Sequence, residues 1–202
     1  MLLEAWESII TTPAQATILP DGCQDLLFTA LPGQAPRWEI TTLDDRPYRI
    51  NMASGTYFKG FRLRAGVRVN GLGAAMQGLS PDHAGIEDRL NTFASLDPLV
   101  EDALAALAEQ AVAGGKVAKA AAAMGVHQRR LQRAMACQTG RSAAQWLALA
   151  RVRKAARAVT TEGLAEVAYS TGYADQPHMH RAFRQWLGTT PKNAPVLSLG
   201  YG

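Results

Sequence analysis

The rhythm of apolar and polar residues changes once along this chain, near residue 96. Ahead of that point the runs are short and bounded by Gly, Pro and Asp. Tyr57-Phe58-Lys59-Gly60-Phe61-Arg62-Leu63-Arg64 alternates large apolar with basic residues, the period of a half-buried strand. Ile18-Leu19, the turn Pro20-Asp21-Gly22, and Cys23 to Phe28 read as strand, turn, strand. Arg37 to Leu43 and Pro47 to Met52 are further strands, separated by Asp44-Asp45. Gly66, Gly71, Gly73 and Gly78 interrupt the next stretch, and 79–95 holds a short helix or two.

Beyond residue 96 the apolar positions recur every three to four residues. Leu99, Val100, Ala103, Leu104, Leu107 and Ala111 mark a helix that Asp97-Pro98 opens and Gly114-Gly115 closes. A second helix starts at the capping box Ser142-Ala143-Ala144-Gln145 and runs to about Val159. On either side of it one pattern occurs twice. Val117 to Val126 aligns with Leu164 to Tyr173 at an offset of 47. Leu131, Arg133, Ala134, Met135 and Gly140 then align with Met179, Arg181, Ala182, Phe183 and Gly188 at an offset of 48. Each copy reads as a short helix, a glycine turn and a second helix bearing arginines. Gly125 and Gly172 allow the left-handed backbone that a sharp turn needs. Two helix-turn-helix units on one chain imply that duplex DNA is read in two places.

Charge sharpens this picture. Residues 1–114 hold 8 Lys+Arg against 14 Asp+Glu, a balance of −6; residues 115–202 hold 13 against 3, a balance of +10. The repeat therefore sits in the basic part, where phosphate backbone is the usual partner. No apolar run approaches the ~18 residues that span a membrane. Acidic Glu4 and Glu7 stand where a signal peptide would be basic, so a cytoplasmic location is expected. Cys23 and Cys137 form no Cys-x-x-Cys pair and are expected to be buried, reduced thiols.

Enzyme chemistry finds little support. His83 is the only histidine before residue 127, too few for a metal site in the front half. His178 and His180 are two residues apart and point away from each other on a helix. No phosphate-binding loop, nucleophile elbow or zinc motif is present. We therefore expect no catalytic residues, no metal and no cofactor.

Leu164-Ala165-Glu166-Val167-Ala168, Gly172-Tyr173-Ala174-Asp175-Gln176, His180-Arg181-Ala182-Phe183-Arg184 and Gly188-Thr189-Thr190-Pro191 carry a resemblance. With Val126, Arg129, Leu131, Arg133, Thr139-Gly140, Trp146-Leu147 and Arg151, they make residues 97–193 resemble the DNA-binding domain of AraC-type (AraC/XylS) regulators. Ile18 to Phe28 and Gly60 to Gly66 resemble, more weakly, the small N-terminal domain of some of these regulators. Met135 and Met179 stand where the family commonly has Phe. The resemblance implies an α+β chain. A small, mainly-β, cupin-like sensor or dimerisation domain spans 1–95. An all-α domain with two helix-turn-helix units joined by a long helix spans 96–194, and 195–202 is a frayed tail.

By the resemblance, the candidates for base contact are Arg129, Gln132 and Arg133 in the first unit and Gln176, His178 and Arg181 in the second. Arg can bond two acceptors on guanine and Gln can pair with adenine. Arg130, Arg151, Lys154, Arg157 and Arg184 are candidates for phosphate contact. Trp38, Tyr48, Tyr57 and Phe61 would suit an apolar or aromatic effector, with Arg62 for an anionic one; core packing is the ordinary role of such aromatics. The expected partners are double-stranded DNA, RNA polymerase and a small-molecule effector, with no membrane and a monomeric or homodimeric chain. The alternative reading is a protein-interaction or small-molecule-sensing module whose DNA binding is secondary or lost.

Overall fold

The computed structural model describes residues 1–82 and 84–194. His83 and the 195–202 tail, for which fraying is expected, lie outside the described residues. The fold class is α+β. The chain divides into two units. One comprises Met1–Ile18, Gly22–Leu43 and Tyr48–Asp97; the other comprises Leu19–Asp21, Asp44–Pro47 and the chain from Pro98 onward.

The first unit contains β1 (Leu2–Ile9), β2 (Ala14–Ile18), β3 (Asp25–Ala30), β4 (Arg37–Ile40), β5 (Tyr48–Met52) and β6 (Tyr57–Leu63). After them come β7 (Arg68–Val69), α1 (Leu72–Met76), α2 (Ile86–Phe93) and β8 (Ala94–Ser95). Four strands form an antiparallel sheet in the order β1-β6-β3-β4, while β2 pairs with β5 and β7 with β8. Among the described residues the large sheet is open, with β1 and β4 as edges, and does not close into the barrel a cupin would have. The strands flanking the Pro20-Asp21-Gly22 turn end in different sheets. Leu26 lies opposite Phe61 and Ile40, and Phe28 opposite Trp38. The two-residue period thus puts Leu26, Phe28, Trp38, Phe61 and Leu63 on one face, where Leu72, Met76, Ile86 and Leu90 join them in a single core. β1 is an element the hydrophobic pattern did not announce. Leu2-Leu3-Glu4-Ala5-Trp6-Glu7 does not alternate, and the strand is held by its ladder with β6. Trp6 lies over Gly60, where any Cβ would collide with the indole.

The second unit contains α3 (Pro98–Glu109), α4 (Val117–Ala123), α5 (Gln128–Thr139), α6 (Ala143–Ala158), α7 (Leu164–Ser170) and α8 (Gln176–Leu187). α3 packs against α4, α5 and α6, and α6 also touches α7 and α8. The core is made by Val100, Ala103 and Leu107 of α3 with Leu131, Met135, Trp146, Val152, Val167, Met179 and Phe183. α6 begins with the expected capping box. Ser142 Oγ accepts the Gln145 N–H at 3.2 Å, and Gln145 Oε1 accepts the Ser142 N–H at 2.9 Å. Its 16 residues make a rod about 24 Å long between the repeats. Among the described residues no helix is long and apolar enough to cross a membrane.

Candidate nucleic-acid interface

The two repeats fold alike down to their backbone hydrogen bonds. In the first turn the Val126 N–H donates to the Ala121 carbonyl at 3.0 Å, and the Gly125 N–H to the Ala122 carbonyl at 3.0 Å. In the second, Tyr173 donates to Ala168 at 2.9 Å and Gly172 to Tyr169 at 3.1 Å. Gly125 and Gly172 have φ of 66° and 82°, the left-handed region in which a side chain is strained. The same carbonyls are satisfied in both copies, 47 residues apart.

The step in offset from 47 to 48 has a visible cause. His127 follows Val126 directly and caps α5, its Nδ1 accepting the Arg129 N–H at 3.2 Å. In the second copy Ala174 stands between Tyr173 and the cap Asp175, whose Oδ1 accepts the His178 N–H at 2.6 Å. This additional residue brings an additional backbone donor. His178 Nδ1 takes it, accepting the Ala174 N–H at 3.3 Å, while the imidazole packs edge-on to Tyr173 at 5.2 Å between ring centroids.

Beyond the turns, Leu131 and Met135 of α5 and their equivalents Met179 and Phe183 of α8 are fully buried. Burying those positions forces the opposite helix faces outward. Arg129, Gln132 and Arg133 are exposed on α5, as are Gln176, His178 and Arg181 on α8. Arg133 and Arg181 occupy equivalent positions, the first just past buried Leu131 and the second just past buried Met179. His178 is exposed, but its ring is folded back onto the turn, so the second helix is read less simply than its sequence implies. The equivalent of Gln132 is His180, which is half-buried and which the sequence did not single out for base contact. Only the offset of 48 applied residue by residue would have picked it out.

Among the phosphate candidates, Arg130, Lys154, Arg157 and Arg184 are exposed. Arg151 departs from its expected place. It is half-buried, and one guanidinium nitrogen donates to the Gly115 carbonyl at 2.5 Å, inside the helical unit rather than toward solvent. Cys137 also departs from expectation: Cys23 is buried, but Cys137 is exposed on α5.

The effector candidates do not surround one cavity. Trp38 and Phe61 pack on each other at 6.0 Å in the core, and the Trp38 Nε1–H donates to the Leu79 carbonyl at 3.0 Å. Tyr57 hydrogen-bonds to Glu7 at 3.2 Å, and burial together with that carboxylate raises its pKa. Arg62 lies on the opposite face of the sheet, 3.7 Å from Asp25 and 3.7 Å from Glu4. Tyr48 is exposed on the β2–β5 ribbon. The first unit does hold an open groove of about 490 Å³. Ala5, Phe61 and Ile86 form part of its wall, beside an ion pair of Lys59 with Asp82. Among the described residues no three His, Cys, Asp or Glu side chains converge as metal ligands would.

Residues 120–194 match a family of helix-turn-helix domains. A transcriptional regulator from Chromobacterium violaceum with an AraC-type DNA-binding domain is similar at 18% identity, over 52% of this chain and 96% of its own, with a TM-score of 0.45. The DNA-binding domain of AdpA, solved with a target DNA, is similar at 31% identity over 48% of this chain and 87% of its own, with a TM-score of 0.41. ToxT from Vibrio cholerae O395 is similar at 7% identity over 93% of this chain and 91% of its own, with a TM-score of 0.46. No curated protein matches the chain. The helical unit is a helix-turn-helix domain of the AraC type, and the chain is a DNA-binding transcription regulator rather than an enzyme.

Proposed function

We propose that this regulator reads one operator in two blocks, placing α5 and α8 in successive major grooves on one side of the duplex. The observation that carries this reading is the repeated turn. It exposes equivalent arginines, Arg133 and Arg181, on two helices of one unit joined by the α6 rod. Major grooves recur on one face of DNA about every 34 Å, a span that the roughly 24 Å rod plus the breadth of each unit can match. Arg129, Gln132, Arg133, Gln176 and Arg181 contact base edges in this reading. Arg130, Lys154, Arg157 and Arg184 contact phosphates. His178 shapes the second turn.

The first unit acts as the sensor or dimerisation domain, responding to a small molecule or a protein partner. Its groove beside Phe61, Ile86 and the Lys59–Asp82 pair is a better effector site than the aromatic set read from the sequence, because those side chains do not converge. RNA polymerase is the partner at the promoter, the chain works in the cytoplasm, and it acts as a monomer or a homodimer.

The test is selection of duplexes from a random pool at about 150 mM salt, where specific and nonspecific binding separate. Enrichment of two conserved blocks about one helical turn apart is expected. A single enriched block would remove the two-groove reading. No enrichment at all would favour the first unit as the working part.

A further inference from the structure

We propose that Arg151 is a positioning residue that locks the two helix-turn-helix units at one fixed separation, and so sets the spacing of the two DNA blocks the protein accepts. The inference rests on the two-groove reading for its consequence on DNA, but the lock itself is a property of the free protein.

Three segments meet at this place. The 111–115 segment, which leads from α3 into the first repeat, lies against the turn of the second repeat. There the Ala113 N–H donates to the Ser170 carbonyl at 3.0 Å. Gly172 sits so close to the Val112 carbonyl that any side chain would collide with it, and its φ of 82° excludes one independently. Arg151, from the middle of α6, closes the joint. Its guanidinium donates to the Gly115 carbonyl at 2.5 Å, and its Nε lies 3.2 Å from where a Gly172 Cβ would be. Tyr173 is buried beside it. The segment that leads into the first repeat is therefore tied to the turn of the second by a backbone hydrogen bond as well as through the linker helix, with the Arg151 side chain lying between entrance, rod and turn.

The chemistry favours a positional role over a purely cohesive one. Arg151 Nε and the Tyr173 hydroxyl are both buried without a hydrogen-bond partner among the described residues. An apolar side chain would avoid those desolvation costs. What the planar guanidinium adds is direction. One of its nitrogens holds Gly115 to α6 while the rigid plane lays Nε against Gly172, which a flexible or apolar side chain cannot do. The linker helix fixes the length between the repeats, and the joint adds a second connection between them.

The experiment places spin labels on the full chain at Cys137 and at Gln185→Cys, equivalent exposed positions on α5 and α8, with buried Cys23 changed to Ala. Distances are measured without DNA. One narrow distance is expected in this parent, and a broadened or second distance in Arg151→Gln and in Gly172→Ala. Gly172→Ala opens the joint without removing a charge, so loss of a phosphate contact cannot mimic the result. A variant that loses its helical circular dichroism is replaced by Arg151→Lys, which keeps the charge but not the fork; broadening is expected there too. A broad parent, or narrow distances in every folded variant, overturns the proposal.

A second arm compares duplexes carrying one block, two blocks, and two blocks moved apart by one or two base pairs. Loosening the joint lowers the effective concentration of the second unit at its block. Affinity of Arg151→Gln for the best two-block duplex is then expected to fall about tenfold, with one-block affinity within about twofold of the parent and a flatter spacing profile. A parallel loss on all duplexes, or an unchanged profile, counts against Arg151 as the lock. If the parent itself gains nothing from a second block, the two-groove reading fails, while the label distances still decide the joint.

Discussion

Single side chains divide here into those exposed on the outer faces of α5 and α8 and those that hold the turns. Arg133 and Arg181 are exposed at equivalent places and pair with no acid among the described residues. Replacing either by Ala is expected to cost about 1–3 kcal/mol of specific binding, read by titration on the selected duplex, with thermal stability unchanged. Equal losses on random DNA would make them phosphate contacts instead. His178 makes a different prediction. His178→Phe keeps a ring against Tyr173 but removes the acceptor for the Ala174 N–H, and is expected to lower stability by about 0.5–1.5 kcal/mol in a urea melt. His127 and Asp175 do the same capping job with different chemistry, which is why a residue-by-residue match between the repeats breaks at this point. Tyr173 adds a pH dependence. Burial holds its phenol neutral above the ordinary tyrosine range. The fold therefore keeps this contribution below pH about 10 and loses it as pH rises beyond, because the unfolded chain gives up the proton first.

Elements owe their ends to short-range chemistry and their places to burial. Ser142 and Gln145 start α6, Gly140 and Gly188 terminate α5 and α8, and all of these are visible in the chain. Phe183, fully buried, anchors α8. Phe183→Ala is expected to destabilise by about 3–5 kcal/mol, and its loss should exceed that of Ser142→Ala, about 1 kcal/mol, in the same melt. The strands are another matter. β1 has no alternation to betray it, since Trp6 lies over Gly60 and Glu4 and Glu7 face opposite sides of the sheet. Its existence depends on β6, whose paired residues lie 48 to 61 positions further along the chain. Tyr57 to Leu63 was legible because one of its faces is core and the other half-covered, which writes a two-residue period into the sequence.

The whole molecule is polarised in charge, −6 over residues 1–114 and +10 over 115–202. A basic region that binds DNA through several phosphates loses about a thousandfold or more in affinity between about 50 and 200 mM salt. Such a slope is expected here, and reversing Lys154 and Arg157 to Glu should flatten it; a salt-independent affinity would contradict the assignment. The helix-turn-helix repeat, the linker helix and the caps at Ser142 and Asp175 could be read from the chain alone, because each depends on residues close together along it, and the basic setting is a simple count. The family could be read there too, since the motif residues lie in a contiguous stretch. It takes the folded chain to turn Arg151 inward to Gly115, to set His178 on the turn, to expose Cys137, and to keep the front aromatics from converging on one pocket. Each of those outcomes depends on what lies opposite a side chain in space, and the Gly115–Arg151 pair is 36 residues apart in the chain. Local periodicity records which face of an element is buried; it does not record the partner.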